Sequence, residues 1–306
     1  MNNSMTAKPA KQKFRYLDPE VLQKISALEL VAREAVEGMR VGAHRSPLKG
    51  LSSEFAYHRP YVIGDSPRHV DWRLYARTGR YYMKQYIAET DFTADILLDA
   101  SSSMQYGSGE VSKLEYAKTM AASLAHLIIT QRDMAGLAVF DSELRQYIEP
   151  SSRLSIVRDI AVELEKVEGV PRTNIASQLH EFAERIKSRG FVILISDLLD
   201  NVDDFMKGLN HLQFHGHNVI VFHTLDPYEL TFPFDGTCRF KGLEIEEELV
   251  TRPKRVREIY MEELEIYLKK IRDACRRTNV DYVLVDVSRP LHEVLTAYLM
   301  KRARSV

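Results

Sequence analysis

The chain has 306 residues, 45% of them hydrophobic and 28% charged, with a formal net charge of −1 and two cysteines, Cys238 and Cys275. That balance supplies no global field toward nucleic acid or anionic membranes and no disulfide framework, and no apolar run reaches the ~20 residues that a bilayer span requires. The length allows one large or two modest domains with a sizeable core.

Residues 1–15 read as a polar, disordered tail. The tail has basic residues but no apolar stretch of the kind found in a secretory signal, so the expected location is the cytoplasm. Asp18, Pro19 and Glu20 make a helix start, and Val21, Ile25, Leu28, Leu30 and Val31 follow at helical spacing until Gly38 and Gly42. From Ala43 to Tyr82 the chain is dense in Arg, His and aromatics without a long amphipathic period, and reads as mostly loop with short elements. Residues 16–90 are therefore expected to form a helix and an Arg/aromatic-rich segment packed on a main domain of residues 91–306.

In that main domain, strand and helix patterns alternate. Strands are expected at 93–99, 135–141, 144–149, 191–197, 218–224 and 280–287. Helices are expected at 114–130, 154–167, 175–187, 205–214, 254–278 and 290–304. Short apolar strands separated by helices predict an α/β fold: a doubly wound, mostly parallel sheet with helices on both faces. In such sheets ligands bind beyond the carboxyl ends of the strands, where strand order reverses.

Three loops on that edge carry oxygen donors. The first main-domain strand ends in Asp99-Ala100-Ser101-Ser102-Ser103, the fourth in Ser196-Asp197, and Thr173 precedes a helix between them. If these loops converge, Asp99, Ser101, Ser103, Thr173 and Asp197 offer two carboxylates and three hydroxyls. That set suits Mg2+ or Mn2+, with Ca2+ as the alternative, and does not suit zinc or copper. The neutral hydroxyls leave the ion under-neutralised and open to a carboxylate from elsewhere.

The order Asp-x-Ser-x-Ser, Thr, Asp resembles the metal-ion-dependent adhesion site of von Willebrand factor A domains. The run GDSPRHVDWRLYART (residues 64–78), followed by LLDASSSM (97–104) and KLEYAKTMAASLAHLIITQRDMAGLAVFD (113–141), resembles one branch more closely. That branch is the MoxR-associated von Willebrand factor A-like family, domain of unknown function number fifty-eight. The resemblance covers roughly residues 40–225. It implies a non-enzymatic, metal-dependent protein-binding module working with a MoxR-type AAA+ ATPase in chaperone-like complex assembly or cofactor insertion. Many relatives carry membrane-spanning helices ahead of this region; none is expected here, so membrane localisation is not carried over.

Competing readings are weaker on the residues. A Mg-dependent phosphohydrolase is the alternative, but the acid/base aspartate expected two residues beyond Asp99 is Ser101, and no phosphate loop of the G-x-x-x-x-G-K-S/T form is present. The Arg/aromatic segment has the composition of a single-stranded nucleic-acid surface. With Asp65, Asp71 and Asp91 nearby, Arg68, Asp71, Trp72, Arg73 and Arg77 are instead expected in structural or partner-binding roles, with Trp72 substantially buried and no nucleic acid as partner. His211, His215 and His217 are expected in solvated or capping roles. The acidic residues 244–248 and the basic run 252–257 are expected to ion-pair.

Overall fold

The computed structural model describes residues 16–17, 19–26, 54–62, 70–87, 92–169, 175–186, 189–242, 248–251 and 253–304. The expectations for the N-terminal tail, for the first helix beyond Ser26, and for Arg68, Thr173, residues 244–247 and Arg252 lie outside them. The chain divides into two compact units, one of residues 1–43 with 92–306 and one of residues 44–91.

The larger unit is built on a six-stranded sheet. Its strands are β3 (Thr93–Asp99), β4 (Met134–Phe140), β5 (Leu144–Ser151), β6 (Phe191–Ser196), β7 (Asn218–Leu225) and β10 (Asp281–Asp286), in the order β10-β7-β6-β3-β4-β5. All neighbours are parallel except β5, which runs antiparallel to β4 along the outer edge with two register shifts. From β3 the chain steps to β4 and β5 on one side, then returns to lay β6 and β7 on the other. The reversal falls between β3 and β6.

Every residue of β3 and β6 is buried, because helices cover both faces. Alternate side chains of β3 divide between two cores. Ile96 and Leu98 pack with Ala117 and Met120 of α3 (Lys113–Thr130), Ile160 of α4 (Ser155–Lys166) and Leu295 of α9 (Leu291–Ala303). Leu97 faces Leu179 and Phe182 of α5 (Ile175–Arg185), Phe205 and Leu209 of α6 (Val202–Phe214), and Ile271 of α8 (Pro253–Arg277). The doubly wound fold expected from the sequence is the one observed. The first helix, α1 (Pro19–Ser26), belongs with this unit, and just before it the buried Tyr16 donates to Glu115 of α3 at 3.0 Å.

A five-residue helix, α7 (Pro227–Thr231), follows β7, and a short antiparallel pair, β8 (Cys238–Lys241) and β9 (Glu248–Thr251), follows that. The pair's four-residue, largely exposed strands give no apolar period, which is why the sequence reading has none there. Phe240 of β8 clusters with Phe232, Phe234 and Tyr260. No helix among the described residues is long and apolar enough to cross a membrane.

The smaller unit is an antiparallel pair, β1 (Glu54–Pro60) and β2 (Tyr82–Ile87), with α2 (Trp72–Thr78) between them. Asp71 is the N-cap of α2, accepting from the amides of Arg73 at 3.0 Å and Leu74 at 3.1 Å, and it also meets His58 Nε2 at 2.8 Å. Gly79 ends the helix at φ 66°, a conformation that glycine adopts without strain. Trp72 corrects the expectation of burial: it is 58% exposed. It is the first residue of a seven-residue helix that buries none of its side chains, and its ring rests edge-on against Tyr75. Arg73 and Arg77 are exposed on the same helix.

Candidate metal centre

An aspartate stands at the carboxyl end of every parallel strand: Asp99, Asp141, Asp197, Asp226 and Asp286. Three of them are taken up by nearby turns and loops. Asp141 accepts from the Glu143 amide and pairs with Arg145; Asp226 caps α7 and accepts from the Ser108 amide at 2.8 Å; Asp286 accepts from the Ser288 amide and hydroxyl. Asp99 and Asp197 differ because they close β3 and β6, the two strands that flank the reversal. A crevice is expected at that point in an open sheet.

The site is assembled from buried groups. Asp99 is 0% exposed, Ser101 1%, Ser103 5% and Asp197 1%. Asp99 Oδ1 accepts from the Ser101 amide at 2.9 Å, and Oδ2 from the Ser196 hydroxyl at 2.6 Å. A 3-10 turn at Ser102–Gln105 brings the hydroxyls of Ser101 and Ser103 to 2.9 Å of one another. Adjacent ligands of octahedral Mg2+, with metal–oxygen distances of about 2.1 Å, stand about 3 Å apart, so these two hydroxyls fit neighbouring positions. Asp99, Ser101, Ser103 and Asp197 are thus brought to one edge. The described ends of the segment holding Thr173 are tied to the same loops: Gln105 Nε2 donates to the Gly169 carbonyl at 3.0 Å, and the Ile175 amide donates to Asp200 at 3.0 Å.

Beyond this set, the structure adds residues that the sequence reading did not single out. Lys113, the first residue of α3, is fully buried and donates to Asp197 Oδ2 at 2.8 Å and to Glu229 Oε1 of α7 at 2.7 Å. Burial pulls the Lys113 ammonium toward neutrality, but Asp197 and Glu229 outweigh it and hold its pKa above the ordinary lysine value. Burial likewise lifts the Glu229 carboxyl against the pull of Lys113. Burial first, and then the charge of Asp197, lift the Asp99 carboxyl to about 7, against the hydrogen bonds from Ser196 and Ser101. Asp197 and Glu229 therefore bring two carboxylates to the Lys113 ammonium, and the charge of Asp197 also acts on the Asp99 carboxyl.

The backbone on the β6 side is held by its neighbours. His223 Nε2–H donates to the Asp197 carbonyl at 2.8 Å, and its Nδ1 meets the Tyr282 hydroxyl at 2.8 Å. Burial depresses its pKa to about 4, so the ring is neutral. Leu198 takes φ 53°, a left-handed conformation costly for leucine. Its carbonyl accepts from the Tyr267 hydroxyl and its side chain is buried.

Around this edge three apolar side chains face solvent: Val111 in the loop after β3, Leu199 after β6 and Tyr228 after β7, exposed by 47%, 53% and 42%. Of the remaining residues singled out from sequence, Asp71, Trp72, Arg73 and Arg77 lie in the smaller unit.

The chain is 25% identical over 231 residues to the uncharacterized protein Rv1480 of Mycobacterium tuberculosis, covering 74% of this chain and 72% of that one. The uncharacterized protein Mb1516 of Mycobacterium bovis matches at the same identity and coverage. Among solved structures, the conserved hypothetical protein BatB of Bacteroides thetaiotaomicron is 17% identical, with a TM-score of 0.46, covering 70% of this chain and 99% of that one. The VWA domain of SpRpn10 is 12% identical, with a TM-score of 0.40, covering 67% of this chain and 94% of that domain. The sequence profile of the proteins of unknown function DUF58 matches residues 57–266, more than half of the chain, and the protein belongs to that family.

Proposed function

We propose that the carboxyl edge of the sheet holds one hard divalent cation, Mg2+ or Mn2+ with Ca2+ as the alternative, and that a partner protein docks there through an acidic side chain. The observation that carries this reading is the Ser101–Ser103 hydroxyl pair, 2.9 Å apart and flanked by Asp99 and Asp197 where strand order reverses. Asp99, Ser101 and Ser103 would hold the ion. Asp197 would contribute through Oδ1, since Oδ2 is engaged by Lys113. Thr173 is the remaining donor in the motif. When bound, the cation supplies a Lewis-acidic position that accepts a carboxylate. The exposed Val111, Leu199 and Tyr228 supply apolar contact around it, which a charge-assisted bond alone does not provide.

By resemblance, the partner is a MoxR-type AAA+ ATPase and the task is chaperone-like complex assembly or cofactor insertion. The same reading assigns no catalytic turnover. The imidazole beside the site, His223, has both ring nitrogens engaged and is fully buried, which leaves it unfit as a general base for a bound substrate. The test has two arms. Calorimetry on chelator-treated protein should detect one saturable Mg2+ or Mn2+ site, lost in Asp99→Ala. Capture of the ATPase should fail in EDTA and with Ser101→Ala or Asp197→Ala. Undiminished capture under all three conditions, in folded protein, would exclude the metal as the docking point.

A further inference from the structure

On the sheet face covered by α5 and α6, away from the carboxyl edge, four side chains converge that the fold does not otherwise use. His180 and Glu184 stand four residues apart on α5, and His211 and His215 stand four apart at the end of α6. Residues four apart share one helix face, so each helix presents a pair. Gly208 brings the helices together: a Cβ there would lie 2.8 Å from Leu179 Cβ, so only glycine permits this approach one turn before His211.

The resulting geometry is that of a ligand set. Glu184 Oε1 lies 3.1 Å from His211 Nε2 and 3.8 Å from His215 Nε2, and the two Nε2 atoms lie 3.2 Å apart. With metal–ligand distances of about 2.0–2.1 Å, neighbouring ligands of a tetrahedral Zn2+ stand about 3.3–3.4 Å apart, a value these three separations bracket. His180 Nδ1 meets His211 Nδ1 at 2.7 Å. That places an acceptor on the far side of the coordinating ring, the arrangement that fixes tautomer and orientation in histidine-metal sites. Two imidazoles and a carboxylate suit a borderline transition metal, whereas the all-oxygen set at Asp99 suits a hard one.

We infer that Glu184, His211 and His215 bind one Zn2+ ion, with His180 as a positioning residue for His211. The fourth coordination position faces solvent, since Glu184 is largely exposed. Because α5 leads into β6 and α6 leads out of it, the ion would clamp the two helices at the end opposite Asp197.

The test uses tag-free, full-length protein stripped of metal, titrated with Zn2+ by calorimetry and with Co2+ by visible absorption. One equivalent with micromolar affinity and the intense bands of tetrahedral Co2+ are expected. His211→Ala, His215→Ala and Glu184→Gln should each weaken binding at least about tenfold with circular dichroism unchanged. Excess Mg2+ and Asp99→Ala should leave the titration unaltered, which separates this site from the one at the sheet edge. Retention of the Zn2+ titration in a folded His211→Ala/His215→Ala protein, or no uptake by the wild type, would overturn the assignment.

Discussion

Lys113 offers the most direct test of the electrostatics at the sheet edge. Its ammonium is fully buried between Asp197, 1% exposed, and Glu229, 20% exposed at the side chain. Lys113→Met keeps most of the volume but leaves two carboxylates without their counter-ion. Breaking a buried pair from one side costs about 3–5 kcal/mol, because the remaining charge is left in a poorly solvated place. At roughly 2–3 °C per kcal/mol for a chain of this size, the unfolding midpoint in EDTA should fall by about 6–15 °C. Removing part of the excess charge with Glu229→Gln in the same background should recover some of that loss. Gln keeps the oxygen that accepts from the Asp226 amide at 2.8 Å. Added Mg2+ should raise the midpoint of Lys113→Met more than that of the wild type, since the variant leaves more negative charge at the site. The assay is thermal and urea unfolding followed by circular dichroism, with and without metal. A variant within about 1 kcal/mol of wild type in EDTA would refute the reasoning, because a buried pair cannot be opened at so small a cost.

Asp95, inside β3 and 2% exposed, has its carboxyl lifted by burial to about 7 from an unfolded value of 3.8, against a hydrogen bond from Tyr147. The folded state therefore binds the extra proton. Its stabilisation is full below the unfolded value and is lost as pH rises through 7, by up to about 4 kcal/mol. Asp95→Asn should flatten this dependence in urea unfolding between pH 4 and 8; an unchanged slope would show that Asp95 is not its source. Gly208→Ala should destabilise by about 1–3 kcal/mol through overpacking against Leu179, and should weaken Zn2+ binding by parting α5 from α6. Equal stability and equal binding would count against the close-approach argument. Trp72→Ala should change unfolding free energy by less than about 1 kcal/mol, because the ring is mostly in solvent; a larger loss would mean that it is buried against something in solution.

The sheet and its major helices were legible because each parallel strand is a short apolar run ended by a polar or acidic residue, as in FVILISD and TADILLD. Burial on both faces writes that pattern directly into the sequence. The Asp99 and Asp197 loops were legible for the same reason: parallel strands place their carboxyl ends on one edge. What sequence could not give was tertiary proximity. Lys113 falls just ahead of the expected helix 114–130, and only the placement of that helix at the reversal point buries it between carboxylates. Glu229 sits in a helix too short for a periodic signal. The spacing of His211 and His215 was visible, but its partner pair on α5 lies in another stretch of chain, so the two histidines were expected only in solvated or capping roles. Trp72 was misread because composition suggested an anchor, whereas the capping Asp71 holds the helix and the tryptophan points outward.

The antiparallel β5 has a consequence for how a partner can reach the molecule. As the outermost strand it would ordinarily present unpaired amides and carbonyls to any extended peptide. Here the register is broken twice, Pro150 lacks an amide hydrogen, and Arg145 and Glu149 place exposed charges along the rim. An incoming strand would meet a discontinuous ladder and would have to desolvate those charges. Lengthening of the sheet from this side, whether by a client peptide or by a second copy, is therefore disfavoured. Restoring a regular rim by replacing Pro150 and the two charges would be expected to turn a protected border of the sheet into an adhesive one.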